Sequence, residues 1–230
     1  MALPAEFTAD NLILCEGPSD AAFFRALIAG RNLPAFDVVP VSDVPTMAGH
    51  AGPGGLSGFK NALDGIRIVP KVERLKDILL VADCDLNGIG NFNDLRAQIA
   101  NTAAFGTPPT QHYVAPQVPL VRSTGNPGIT IVLIPWLGEV GHLECLLVPA
   151  AMAASPEIAL CLDGYTACTG VDAWAEVHHV AEMKLRCILS AANPGNPRMG
   201  VIKVWDERPD LIPVAHASFD RLANFLDGYR

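Results

Sequence analysis

Three observations predict an α/β fold with a mostly parallel central sheet flanked by helices and additional helices towards the C-terminus. Strand-length apolar runs alternate with segments of helical spacing from residue 12 to residue 152. Two of those runs, LILCE and DILLVAD, stop on carboxylates, and parallel α/β sheets place their ligand sites at the carboxyl ends of strands. Beyond residue 150 the spacing is helical.

LILCE (12–16) reads as a buried strand, and SDAAFFRALIAGR (19–31) as a helix with Ser19 at its N-cap and Phe23, Phe24, Leu27 and Ile28 on one face. FDVVPV (36–41) is a second short strand. The Gly-rich loop AGHAGPGG (48–55) leads into a helix over 56–69. DILLVAD (77–83) is the strongest strand signal, and NFNDLRAQIAN (91–101) is a helix opened by an Asn cap. A Pro/Gly-rich connector, 106–128, reads as an insertion loop. ITIVLIPW (129–136) is a further buried strand and GHLECLLVPAAM (141–152) a short helix. The longest helical stretch is 171–192, and ASFDRLANFLDG (217–228) closes the chain. One domain over 1–230 is expected, with 150–230 as a mainly helical part packed on the same core.

Composition excludes several classes. Half of the 230 residues are hydrophobic and 17% are charged, yet no run reaches the roughly 18 apolar residues of a membrane span. The first residues, MALPAEFTAD, carry acids and no basic n-region, so no secretory signal is expected. A soluble, cytoplasmic protein without membrane contact is predicted. The six cysteines form no CxxC and no zinc-like spacing with histidine, and read as small core residues in a reducing compartment. Trp136, Trp174 and Trp205 are scattered and read as core. His178 and His179 are adjacent in a helix, about 100° apart, an awkward pair for one metal ion. A net charge of −8 argues against broad attraction to phosphate backbones, but leaves nucleic acid open as a substrate where divalent ions supply positive charge locally.

The carboxylates are the informative feature. Glu16 ends the first strand, and Asp83 and Asp85 end the third. In extended backbone Asp83 and Asp85 project to one side, with Cys84 opposite. Asp20 lies four residues after Glu16, in the first turn of the next helix, where it faces back to the strand tip or caps the helix. Carboxylates converging there repel one another unless protonated or bridged, and hard cations such as Mg²⁺ or Mn²⁺ bridge them.

LILCEGPSDAAFF followed by ILLVADCDLNG resembles the toprim domain, with its strand-Glu-Gly and strand-Asp-x-Asp motifs. Such domains occur in topoisomerases, primases, recombination-repair proteins and the OLD-family nucleases. The spacing Glu16 to Asp20 is most similar to the OLD-type branch and to stand-alone toprim-like proteins of uncharacterised function. The resemblance implies a toprim/Rossmann-like fold. It also implies Glu144, in GHLECLL, as a further acidic metal ligand, and Lys184 as a late basic residue assisting phosphate chemistry, with Lys203 competing for that role. OLD-type nucleases carry an ATPase domain ahead of the toprim domain. AGPGGLSGFKNA is no P-loop, since Asn61 follows Lys60 where a hydroxyl residue is required, so an ATPase or other protein partner would act in trans. Gly54, Gly55 and Lys60 near a phosphate are a minor alternative to a plain loop.

The expected chemistry is two-metal phosphodiester hydrolysis on DNA or RNA, with Glu16 as ligand or as general acid/base. Two other readings stay open: a haloacid-dehalogenase-type phosphatase using the DxD pair, and a non-catalytic Mg²⁺-binding module acting through a partner.

Overall fold

The four apolar runs lie side by side. A computed structural model describes residues 6–46, 50, 52–106 and 111–229. In it β1 (Asn11–Cys15), β2 (Asp37–Pro40), β3 (Asp77–Asp83) and β4 (Gly128–Ile134) form one sheet, all parallel, in the order β2-β1-β3-β4. Around it pack α1 (Pro18–Arg31), α2 (Phe59–Gly65), α3 (Gly88–Ala100), α4 (Leu143–Ala154), α5 (Pro156–Thr169), α6 (Val177–Ala192), α7 (Val201–Glu207) and α8 (Asp220–Asp227). The arrangement is consistent with a Rossmann- or toprim-like sheet with added C-terminal helices, as expected. No described helix is long and apolar enough to cross a membrane.

Side-chain alternation divides the core in two. Leu12, Leu14, Ile78 and Leu80 point to one face and pack with Phe59 and Leu63 of α2 and Leu95 of α3. Ile13, Cys15, Leu79 and Val81 point to the other, against Phe23 and Leu27 of α1 and against α4 to α8. Both faces are therefore covered, which is why the strands read as unbroken apolar runs. The sheet edges are also occupied. Arg25 donates to the Val38 carbonyl at 2.5 Å beside β2. On the β4 side the connector runs along the strand, with Leu120 N–H bonded to Ile131 O at 3.0 Å and Ser123 N–H to Ile129 O at 2.9 Å.

Differences from expectation have local causes. The helix expected over 56–69 is α2 with a 3₁₀ turn at each end, Leu56–Gly58 and Ile66–Ile68. The last strand stops at Ile134 because Pro135 has no N–H to continue the ladder. The stretch 171–192 is broken: Gly170 closes α5 in the left-handed conformation, a 3₁₀ turn follows at Val171–Ala173, and α6 starts only at Val177. Trp174, expected in the core, is exposed in that break, whereas Trp136 is buried and Trp205 half-buried. Cys15 and Cys84 are core residues, but Cys161 and Cys168 lie exposed on α5. Of the Gly-rich loop, residues 48, 49 and 51 lie outside the described residues, as do 107–110 of the connector.

Phe23 fastens the C-terminal helices to the sheet. Its ring lies 5.1 Å from Phe219, 5.5 Å from Phe24 and 5.7 Å from Trp205, centroid to centroid, and is fully buried. Phe23→Ala is expected to lower the unfolding free energy by about 3–5 kcal/mol in denaturant titrations. A loss below about 1 kcal/mol would contradict this packing.

Candidate metal centre

Strand order places the crevice. After β1 the chain passes through α1 on one face; after β3 it passes through α3 on the other. The connections thus diverge between the carboxyl ends of β1 and β3, leaving a gap where α/β sheets bind ligands. Glu16 and Asp83 stand at that gap. Glu16 extends the β1 ladder by one residue, its N–H bonding Val81 O at 2.9 Å. Its Oε2 accepts the Asp83 N–H at 3.2 Å, so the two acids are tied across adjacent strands.

Two helix N-termini complete the set. Asp20, in the first turn of α1 and only 7% exposed, accepts the Gly17 N–H through Oδ2 at 2.9 Å. It both caps the helix and faces the crevice. Asp83 Oδ1 accepts the Leu143 N–H at 3.1 Å at the start of α4, which brings in Glu144 beside it. The crevice encloses about 460 Å³, lined by Glu16, Asp20, Asp83 and Glu144 together with His142 and Glu182. Gly54 and Gly55 form another wall. Gly55 has φ of 74°, and a Cβ there would stand 3.9 Å from Glu16 Oε1.

The carboxylates lie in one another's field. Burial pushes Asp83 up to about 9, and the charges of Asp20, Glu16 and Glu144 push it the same way. Burial raises Asp20 to about 7, opposed by the Gly17 hydrogen bond and reinforced by Glu16 and Glu144. Glu16 is also raised, chiefly by burial, against the hydrogen bond from Asp83 N–H.

The remaining predicted residues sit differently. β3 ends at Asp83, and Asp85 adopts φ of 48° while its backbone pairs with Gly141 (N to O 3.1 Å and 2.9 Å). Extended alternation therefore does not reach Asp85. Its carboxylate turns to the rim, to His142 Nε2 at 2.6 Å and Asn91 Nδ2 at 2.8 Å, and is not among the crevice-lining residues. Lys184 is ion-paired with Asp172 at 3.2 Å, Lys203 with Glu207 at 3.8 Å and Lys60 with Asp64 at 2.8 Å; none lines the crevice.

Three groups escaped the sequence reading, and a fourth, His142, which from sequence reads as a surface or helix-capping residue, takes another place. Glu182 lies on the crevice face of α6, two residues before Lys184 and so on a different side of the helix. Asn91 is not the helix cap. Asn87 takes that place, accepting the Gly90 N–H at 3.0 Å, which leaves Asn91 to hold Asp85 and, at 2.9 Å, the Asp83 carbonyl. His142, two residues from Glu144, is a crevice wall. An adjoining cavity of about 450 Å³ shares Ser19, Glu144 and Glu182 with the crevice and is lined by Arg186 and Arg198. Arg186 pairs with Glu182 at 2.7 Å; Arg198 is exposed and unpaired among the described residues.

The residues present fit a hard divalent cation. The donors are carboxylate oxygens, and no Lys or Arg is among the described residues that line the crevice. Among the described residues only Glu176, His178 and His179 place three ligand atoms within 4.8 Å of one another. No three of the crevice carboxylate oxygens come that close to one another. Compared with known proteins, the chain matches no family model, no curated protein and no solved structure.

The raised carboxyls make metal-free stability pH-dependent. With pKa values near 7 and 9 in the folded chain, against about 3.9 unfolded, Asp20 and Asp83 hold protons that the unfolded state has released. Their contribution is present at low pH and is lost as pH rises through the folded values, by up to about 1.4 kcal/mol per pH unit for each carboxyl. Between about pH 7 and 8.5 the metal-free melting temperature is expected to fall, with Mg²⁺ or Asp83→Asn flattening the slope. A melting temperature that rises over this range, or a slope unchanged in Asp83→Asn, would contradict it.

Proposed function

We propose that this chain is a Mg²⁺- or Mn²⁺-dependent phosphodiesterase acting on nucleic acid, DNA in preference to RNA, of toprim, OLD-like type. One observation carries the reading: Glu16, Asp20, Asp83 and Glu144 line a single crevice at the carboxyl edge of a parallel sheet, with no Lys or Arg among the described lining residues. Glu16, Asp20, Asp83 and Glu144 would hold the ions, with Glu182 on the adjoining wall and Asp85 on the rim. Bound divalent ions supply Lewis-acid polarisation of the phosphoryl group and a water of lowered pKa.

The chain's own groups do the positioning. Backbone N–H groups of Gly17, Asp83 and Leu143 each fix one oxygen of Asp20, Glu16 and Asp83, so the carboxylates are oriented before any ligand arrives. Asp85 and Asn91 hold the wall around His142. The arginine-lined cavity next to the crevice suits the neighbouring phosphates of a polynucleotide, and Arg198, rather than Lys184, is the cation we assign to that contact. The net charge of −8 confines attraction for a polyanion to such local sites. A covalent phosphatase mechanism on the DxD pair is less favoured, because the second acid is engaged by His142 and Asn91 outside the crevice lining.

Cleavage of plasmid and single-stranded DNA in Mn²⁺ tests the reading. Asp83→Asn is expected to reduce turnover roughly a hundredfold or more. Arg198→Ala is expected to raise KM about tenfold with a smaller effect on kcat, the loss of one charge-assisted contact. Equal cleavage by wild type and Asp83→Asn would overturn the assignment.

A further inference from the structure

We propose that Glu176, His178 and His179 form a second, chemically distinct metal site that takes Zn²⁺ beside the acidic crevice. Glu176 is the N-cap of α6 and has extended backbone (φ −108°, ψ 105°), so its carboxylate folds back over the first helical turn. Oε2 of Glu176 then lies 3.2 Å from His178 Nε2 and 3.0 Å from His179 Nδ1. A carboxylate thus lies between two adjacent helical histidines, and all three donor atoms come within 4.8 Å of one another despite the rings' divergence.

Two of the three donor separations suit one small ion. Bonds of about 2.0–2.2 Å to nitrogen and oxygen in a tetrahedron put neighbouring donors about 3.3–3.5 Å apart. The two donor separations, 3.0 and 3.2 Å, are within a few tenths of that, and all three ligand atoms lie within 4.8 Å of one another. The donor set separates this site from the crevice: two imidazoles and one carboxylate favour a borderline ion such as Zn²⁺, whereas an all-carboxylate crevice favours Mg²⁺ or Mn²⁺. Three protein ligands leave the fourth position open to solvent.

A second observation marks His178. Its side chain is only 10% exposed, and its Nδ1 has no hydrogen-bond partner among the described residues. Nδ1 is the nitrogen away from Glu176, so the ring's hydrogen bonding is through Nε2 alone. What holds it is Glu176 on one side and a stack with His142, at 4.1 Å between centroids and 20° between planes, on the other. His142 in turn bonds Asp85 and lines the crevice. An ion on His178 would therefore brace one wall of the acidic site.

The proposal does not depend on phosphodiesterase activity and is tested by binding. Zn²⁺ is titrated calorimetrically into the chelator-stripped full chain, with Mg²⁺ saturating the crevice. One equivalent is expected to bind. Glu176→Gln and His179→Ala, at side chains 41% and 55% exposed and thus tolerant of replacement, are each expected to weaken binding at least about tenfold. Asp83→Asn is expected to leave Zn²⁺ affinity unchanged, and Co²⁺ in place of Zn²⁺ to give tetrahedral d–d bands without thiolate charge transfer. Absence of binding, wild-type affinity in His179→Ala, loss of binding in Asp83→Asn, or a thiolate band would each overturn the site.

Discussion

Negative charge that is partly removed from water, with no Lys or Arg among the described residues lining its crevice, is the constraint on which this edge of the molecule depends. Asp83 ends a strand flanked by β1 and β4, with apolar side chains on both faces of the sheet behind it. Its carboxylate must therefore be satisfied at the strand tip or not at all. Glu16, Asp20 and Glu144 converge on the same place, which raises the burden on each. Backbone N–H groups from two helix starts and one strand offset part of it, at a single oxygen each. A proton or a cation must supply the rest.

The surrounding architecture serves that edge. The order β2-β1-β3-β4 sends the chain to opposite faces after β1 and β3, opening the crevice, while a two-residue link from β1 to α1 keeps Asp20 within reach of it and the longer link from β4 to α4 brings in Glu144. Gly141, at φ of 127°, permits the backbone bridge to Asp85 that draws the β4–α4 link across the end of β3. The C-terminal helices are more than padding: α6 contributes Glu182 to the crevice, and its first turn carries the Glu176–His178–His179 group.

The sheet and three of the crevice acids were legible in the sequence because both are written in local pattern. Strand β3 matches its predicted span of 77–83, since an apolar run bounded by Asp at each end leaves little latitude. Glu16, Asp20 and Asp83 follow from strand ends and a first helical turn, positions that the periodicity marks, whereas Glu144 was indicated only by the toprim resemblance. Asp85 was misplaced because alternation was carried two residues past the last ladder bond into left-handed backbone. Lys184 was implied by the resemblance as a late basic residue, yet which side of α6 meets the crevice is decided by packing against α4, and that side carries Glu182. Arg198 belongs to a turn without periodicity. Asn91 was hidden by Asn87, since either asparagine reads equally well as the cap.

The central claim is that these separated carboxylates form one binding site for hard divalent ions. Anomalous diffraction from a crystal of the chain soaked in Mn²⁺ tests it most directly. The account predicts Mn²⁺ peaks coordinated by Glu16, Asp20, Asp83 and Glu144. Well-ordered carboxylates with no manganese between them, in a crystal where Mn²⁺ is found elsewhere on the chain, would contradict it.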